Sequence, residues 1–197
     1  MRGMDPRVGD PTGRPPANDN ERLWLLAFQG GDQGAFQPLV RPHLAALLAL
    51  ARRHCRDTHW ADDLVQETLV RAFRHLGSFR GDAALRTWLF RILVRLASEP
   101  DRWRRTEPAA PLEIDVPDTF DEPAAAHAIG NELAQALDAA LERLPERQRT
   151  ALHLRAVEGM DYRAIAAVLE CSPAAARMLV LEARRKVLAR LGDRLEP

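Results

Sequence analysis

The stretch Ala61-Asp62-Asp63-Leu64-Val65-Gln66-Glu67-Thr68-Leu69-Val70-Arg71-Ala72-Phe73-Arg74-His75-Leu76 decides the fold class. Leu64, Thr68, Leu69, Ala72, Phe73 and Leu76 recur at the three- and four-residue spacing that gathers side chains on one side of an α-helix. Asp62, Asp63, Gln66, Glu67 and Arg71 fall on the other side. The spacing therefore predicts an amphipathic helix with an apolar face to bury and a polar face left for a partner. Gly77 follows, where a helix can end in a left-handed cap.

Working outward, the same period continues. Asp82 is placed to cap a helix whose core stripe is Leu85, Trp88, Leu89, Ile92, Leu93 and Leu96. Upstream, residues 32–56 read as a long helix with a kink at Pro42. Downstream, residues 131–143 are amphipathic through Leu133, Leu137, Ala140 and Leu141, and Pro145 opens the next helix. Two short helices then follow, capped by Asp161 and Ser172, with Pro173 at the first helical position of the second. A tight turn between two helices, the second of them basic, is the helix-turn-helix pattern. No long stretch alternates with period two, and no Asn-Gly or Asp-Gly hairpin turn occurs. The fold class is all-α.

The chain divides into four parts. Residues 1–20 are polar, rich in Gly and Pro, and read as a mobile tail. Residues 21–105 form one helical domain. In residues 106–123, Pro108, Pro111, Pro117 and Pro123 punctuate Glu107, Glu113, Asp115, Asp118, Asp121 and Glu122, with no basic residue among them. This composition predicts a flexible acidic linker. Residues 124–195 form a second helical domain.

Composition limits what such a protein can be. The 197 residues are 46% hydrophobic and 28% charged, which excludes generic disorder. Twenty-eight acidic residues balance 28 basic ones, which excludes a histone-like polycation. The longest apolar run, 44–51, is far short of the roughly 20 residues that span a bilayer, and the amino-terminal residues hold no apolar signal core. With Cys55 and Cys171 unpaired by spacing, the expectation is a cytoplasmic protein without membrane insertion.

Charge is balanced overall but not locally. Nine arginines between Arg71 and Arg105 meet three acidic residues, and the five arginines and one lysine between Arg177 and Arg194 meet two. Two basic patches can grip a polyanion at two places, although arginine-rich helices also solvate their outer faces. Phe79, Trp88 and Trp103 lie within the first patch. Trp88 falls on the core stripe, whereas Phe79-Arg80-Gly81-Asp82 reads as a loop able to stack and hold an unpaired base.

Two motif blocks carry a family resemblance. The run from Ala61 to Phe73, followed by Phe79-Arg80-Gly81-Asp82 and Arg86-Thr87-Trp88-Leu89-Phe90-Arg91-Ile92, resembles region 2 of the extracytoplasmic-function (ECF) sigma factors. Leu141-Glu142-Arg143-Leu144-Pro145-Glu146-Arg147-Gln148-Arg149, with Glu158-Gly159-Met160-Asp161-Tyr162 and Ile165-Ala166, is similar to the start of their region 4. The resemblance covers 21–191, with domains and linker in the same order. It implies a bacterial initiation factor that binds core RNA polymerase, at the clamp of the largest subunit and the flap of the second-largest, and directs promoter recognition and melting. By resemblance, Asp62, Asp63, Gln66 and Glu67 dock the clamp. Phe79, Arg80, Asp82, Arg86, Thr87, Arg91 and Arg95 hold the −10 element. Ser172, Ala175, Arg177, Arg184 and Arg185 meet the −35 element. An anti-sigma partner is implied, and packing of the two domains on each other is a further way to hold such a factor inactive.

The sequence also departs from the family. Arg95 and Glu99 stand where Asn and Asp are usual, and Pro100 should end the helix near Glu99. On the recognition helix, Arg177, Met178, Leu181, Glu182, Arg185 and Leu188 should face outward, with Ala176, Val180, Ala183, Val187 and Leu191 inward. Met178-Leu179 replaces the usual Ser-Arg pair. Pro173, Ala174 and Ala175 offer no side-chain hydrogen bond to base edges, which are read by Arg, Asn or Gln. Glu170 stands where a turn glycine is common, at a cost of about 1 kcal/mol if the backbone is left-handed. This face keeps a second reading open: a sigma-like mimic that binds an anti-sigma factor without initiating transcription. A plain helix-turn-helix repressor would leave the first domain unexplained.

No catalytic fingerprint is visible, neither a nucleophile triad nor a glycine-rich phosphate loop, so no enzyme and no cofactor are expected. His54, Cys55, Asp57 and His59 cluster in sequence, but no second ligand pair has zinc spacing, so no metal is expected.

Overall fold

A computed structural model describes residues 19–55, 57–99 and 128–195, with side chains of the last segment described from 134 to 192. The acidic linker and the basic run 102–105 lie outside the described residues. All described elements are helical. We number the α-helices α1 (Asp19–Gln29), α2 (Phe36–Val40), α3 (Leu44–His54), α4 (Thr58–His75) and α5 (Leu85–Ser98) in the first part. In the second part they are α6 (Ala128–Glu142), α7 (Glu146–Ala156), α8 (Tyr162–Leu169) and α9 (Pro173–Leu195).

The helix expected over 32–56 is divided. Single 3₁₀ turns at Gln33–Ala35 and Arg41–His43 flank the short α2. Pro42 lies inside the second turn, since its ring and missing N–H interrupt an α-helical ladder. Asp32 caps the first turn by accepting from the Gly34 amide at 3.0 Å.

α4 forms where the sequence places it. Asp57 caps it through the His59 amide, and Ala61, Leu64, Val65, Leu69 and Ala72 are buried on α3 and α5. The expected cap at Gly77 is not left-handed. α4 instead runs into a 3₁₀ turn, Leu76–Ser78, and only a glycine with positive φ would need to be glycine there. Phe28, Phe36 and Phe73 meet edge-to-face or tilted, at centroid separations of 5.1–5.8 Å, and close this end of the bundle.

α5 begins at Leu85 with Ala84 as its cap residue, so the expected cap at Asp82 is not made. The cap position falls two residues after Asp82, on an alanine that has no side chain to accept from the free amides. The helix ends at Ser98 with Glu99 as its terminal cap, as the following proline requires. Leu85, Leu89, Leu93 and Leu96 are buried as expected, and so is Phe90, which lies off the predicted stripe. α5 packs against α3 and α4 and also against α8, so it is covered from more than one direction.

The second part docks on the first. α8 lies on α5, α7 on α3, and one continuous apolar cluster runs from Leu39 and Leu64 through Leu89 and Phe90 to Leu154, Ile165 and Val180. A smaller cluster, Ala140, Leu144, Ala183 and Val187, joins α6 to α9. Among the described residues, no single helix is long and apolar enough to cross a membrane.

Candidate nucleic-acid interface

The α8–α9 corner is built from its caps. The Asp161 carboxylate accepts from the Ala164 amide at 2.7 Å, and the Ser172 hydroxyl accepts from the Ala175 amide at 3.1 Å. Both occupy free amides of a first helical turn. Between them Glu170 adopts φ 50°, ψ 54°, the left-handed conformation, while the Cys171 amide donates back to the Ala166 carbonyl at 3.0 Å. This is the Schellman ending of α8, and it aims α9 away from α8.

α9 buries Ala176, Val180, Ala183 and Val187, as the helical wheel requires. Arg177, Arg184 and Arg185 are exposed. Met178, Leu181 and Leu188 are also outward, at 53%, 44% and 68% exposure. Glu182 departs from the expected outward set because Gln148 of α7 captures it. The Gln148 amide donates to Glu182 at 2.6 Å, and Lys186 donates to the Gln148 oxygen at 2.9 Å. Gln148 is itself buried, so its polar atoms need these partners, and the triad pins α9 to α7.

On α4, Asp62, Asp63 and Gln66 are exposed in a row. Glu67 is half-buried and accepts from Arg71 Nε at 2.8 Å one turn on.

The residues expected at the −10 element divide into free and occupied groups. Arg80, Asp82 and Arg95 are exposed. Phe79 is not the unpacked loop aromatic that its period suggested: its ring lies 5.1 Å from that of Trp88, and its carbonyl accepts from Gln29 Nε2 at 2.9 Å. Thr87 is buried. Arg91 Nε donates to the Ala167 carbonyl of α8 at 2.7 Å. Arg86 pairs with the Glu158 carboxylate, donates to the Glu158 carbonyl at 3.3 Å, and lies 5.5 Å over the Phe90 ring. Burial pulls the Arg86 pKa below its usual value.

A small group of ionisable residues lines the seam between the two parts. His54 Nδ1 lies 3.1 Å from Glu146 Oε1, and His54 Nε2 lies 3.2 Å from Thr150 Oγ1. Hydrogen bonding to His54 holds the Glu146 carboxyl below its ordinary range, against the opposing effect of burial. Arg53 donates to Asp138 at 3.0 Å. His153 Nε2 lies 3.3 Å from Glu158 Oε1 but makes no hydrogen bond there. Burial, with Arg53, His54 and Arg86 nearby, pushes the His153 pKa down to about 4, so the ring is neutral near pH 7. Among the described residues, no group of His, Cys, Asp and Glu is placed to hold a metal ion, and His54 is turned to Glu146 and Thr150.

Sequence reasoning missed Glu158, Glu146 and Gln148 as interface residues. Their partners lie between 34 and 92 positions away, beyond any periodic signal.

Comparison with known proteins accounts for this two-part layout. Residues 39–107 match the model of sigma-70 region 2, and residues 134–187 match that of sigma-70 region 4. The RNA polymerase sigma-H factor of Pseudomonas aeruginosa is 34% identical over 86% of this chain and 92% of its own length. The ECF RNA polymerase sigma-E factor of Escherichia coli is 33% identical over 85% of this chain and 92% of its own. Among solved structures, CnrH in complex with the cytosolic domain of CnrY matches with TM-score 0.65 and 30% identity, over 89% of this chain and 99% of that one. The sigma factor RpoE of Bartonella quintana, solved with the anti-sigma factor NepR, shares the fold with TM-score 0.62 and 24% identity, over 82% of this chain and 98% of that one. A polar α4 row, an arginine-bearing α5 and a capped helix-turn-helix, in this order and matched across nearly the whole chain, place it in the ECF class of the sigma-70 family, whose members bind core RNA polymerase and direct it to promoter DNA.

Proposed function

We propose that the two parts divide the work of initiation, with 21–105 as the polymerase- and −10-binding domain, 106–123 as the linker and 124–195 as the −35-binding domain. Asp62, Asp63 and Gln66 meet the clamp of the largest subunit, with Glu67 set in place by Arg71. Arg80, Asp82 and Arg95 form the exposed part of the −10 surface, and Phe79, Arg86, Thr87 and Arg91, which are packed or paired in this structure, are assigned to it by the resemblance. Ser172 fixes the start of α9, Ala175 can touch a thymine methyl, Arg177 reads a base edge, and Arg184 and Arg185 hold phosphates. The second domain also meets the flap of the second-largest subunit. The chain works as a cytoplasmic initiation factor without chemistry of its own.

The observation that carries this reading is the capped α8–α9 corner presenting Arg177, Arg184 and Arg185 outward from a helix locked by Gln148. Run-off transcription sequencing on fragmented genomic DNA tests it, using core polymerase with and without the protein. Discrete new start sites behind a shared upstream element are expected. Stable core binding without new starts would remove the promoter-reading assignments, and no core binding would remove the clamp assignment as well.

The outward Met178, Leu181 and Leu188 favour a second use of α9, as a face for an anti-sigma partner such as the one bound to the Bartonella relative. A chain that used α9 for this alone would be a sigma-like mimic. It would capture the anti-sigma factor and produce no new start sites.

A further inference from the structure

From Pro173 to Leu181, Arg177 is the only side chain of α9 that carries nitrogen or oxygen. Ser172, just ahead, is engaged on the Ala175 amide, and Glu182, just after, is held by Gln148 at 2.6 Å. The outward face of these turns is instead Ala174, Met178 and Leu181, all exposed. Apolar side chains so placed gain free energy when an apolar surface takes them out of water. Arg177 and Arg184 run along one edge of this face, and Arg185 continues it one turn beyond Leu181, all three in solvent. The surface that suits it is therefore apolar at the centre and anionic at the margins. A duplex major groove has that combination. Its rims are phosphates, and its floor presents one apolar group among the unmodified bases, the 5-methyl of thymine. The spacing agrees as well. Met178 and Leu181 are three residues apart, a rise of about 4.5 Å along the helix, against a step of roughly 3.4 Å between base pairs. Leu188 lies about 15 Å along from Met178, past the span of a groove about 12 Å wide.

We propose that α9 reads its promoter site through methyl groups: Met178 and Leu181 close on the 5-methyl groups of thymines in neighbouring base pairs, while Arg177 makes the hydrogen-bonded contact. The inference rests on the −35 assignment made above and names what that surface recognises, a duplex step carrying major-groove methyls. Thymine qualifies, and so does 5-methylcytosine, which presents its methyl at the same edge of the groove. Discrimination of this kind works by burial and not by pairing donors with acceptors. Each methyl covered by a side chain contributes about three- to fourfold in affinity, and two together about tenfold. The two readers differ in stiffness. Met178 is unbranched and can shift its thioether to follow a methyl on either strand, whereas the branched Leu181 fixes one position.

Deoxyuridine tests this, because it keeps every hydrogen-bonding group of thymine and lacks only the methyl. A promoter recovered by run-off sequencing is synthesised with deoxyuridine for thymine at each −35 position in turn. Binding by the holoenzyme, core polymerase with this chain, is then measured in competition with the unaltered duplex. The expected result is two neighbouring base pairs at which the replacement weakens binding about three- to fourfold each. Leu181→Ala should erase the effect at one of them and Met178→Ala at the other. At either position 5-methylcytosine should bind better than cytosine by a similar factor. Val157→Ala trims an exposed apolar side chain on the turn after α7 and should leave the profile unchanged. All three side chains are in solvent, so these variants should keep the fold, which circular dichroism checks. A profile indifferent to deoxyuridine overturns methyl reading. So does a thymine preference that persists in the chain carrying both Met178→Ala and Leu181→Ala, which would report duplex shape instead. A promoter affinity untouched by both substitutions also overturns it and leaves the apolar face to a protein partner. The −35 assignment is judged separately: it survives each of these outcomes while scrambling the −35 segment weakens holoenzyme binding, and it falls, taking methyl reading with it, if scrambling has no effect.

Discussion

α5 and α9 are both arginine-bearing amphipathic helices, and both are assigned to promoter DNA, yet they meet their surroundings in opposite ways. α9 keeps Arg177, Arg184 and Arg185 in solvent, beside exposed Met178, Leu181 and Leu188. α5 has two of its arginines engaged by α8 and the turn before it, and Phe90, beneath Arg86, is fully buried. The difference shows that a basic helix is defined by what neutralises it. α9 awaits an external anion, whereas on α5 the Glu158 carboxylate already meets Arg86. α9 is a free surface held by one neighbour set, and α5 is the beam on which both domains rest.

If α5 is that beam, its core should be the most expensive place to cut. Phe90→Ala should cost about 3–5 kcal/mol in chemical denaturation, since the ring leaves a cavity within a cluster shared by both domains. Val180→Ala on α9 removes two methyl-sized groups and should cost about 1.5–2 kcal/mol. Equal costs would break the comparison.

The seam should also be sensitive to acid in a way the α9 face is not. His153 has an ordinary pKa of 6.5 and a folded value of about 4. Between these values the unfolded chain binds the proton more readily, so the stability from the neutral ring is full above pH 6.5 and is lost as pH falls toward 4. The gap corresponds to about 3 kcal/mol at most. The depressed Glu146 carboxyl adds a loss in the same direction, beginning only below its ordinary value of 4.5. Urea midpoints measured from pH 7.5 to 4 should therefore fall, and His153→Gln should flatten the part of the curve between 6.5 and 5. An unchanged slope in that variant would assign the acid sensitivity elsewhere.

What was legible in the sequence follows the same division. The α9 face could be read because its inward set obeys one helical period, although α6, α7 and α8 all pack against it. Asp161 caps α8, and Ser172 and Pro173 open α9, as read. α5 could be read only in part. Leu85, Leu89, Leu93 and Leu96 form a stripe, but Phe90 is buried because α5 has a second layer over it, which periodicity in α5 cannot announce. Phe79 was legible as an aromatic in a loop, but its stacking on Trp88 depends on how that loop folds back. Asp82 resembled a cap because type and rough position suffice for a guess, while a cap depends on reaching particular amides. The partners of Arg86 and His54 lie 72 and 92 residues away, so they follow from docking and not from pattern.

On the exposed side of the comparison, Arg177→Ala should weaken promoter binding by about 1–3 kcal/mol and relax preference at one base position. Arg185→Ala should instead weaken all sequences alike and reduce the salt slope by about one. Competition binding at two salt concentrations separates the two effects. If Arg177→Ala changes nothing while Leu181→Asp abolishes capture of an anti-sigma factor, α9 is a protein-binding face and the mimic reading gains.

The smallest effect lies at the joint that aims α9. Glu170 is left-handed at φ 50°, where an L-residue costs roughly 1–2 kcal/mol relative to right-handed backbone. Glycine removes that cost and returns part of it, about 0.4–1 kcal/mol, as added freedom of the unfolded chain. Its side chain is exposed, so little packing is lost. Glu170→Gly should therefore raise stability by about 0.5–1 kcal/mol, a rise in melting temperature of roughly 1–4 °C for a chain of this size. The closing bond from Cys171 to Ala166 is made by backbone alone and should survive the change. Ala at the same position keeps the left-handed penalty and should leave the melting temperature within a degree of the original. If alanine stabilises as much as glycine, the gain comes from losing a carboxylate near the end of α8, where the helix dipole disfavours negative charge, and backbone strain is not the cause.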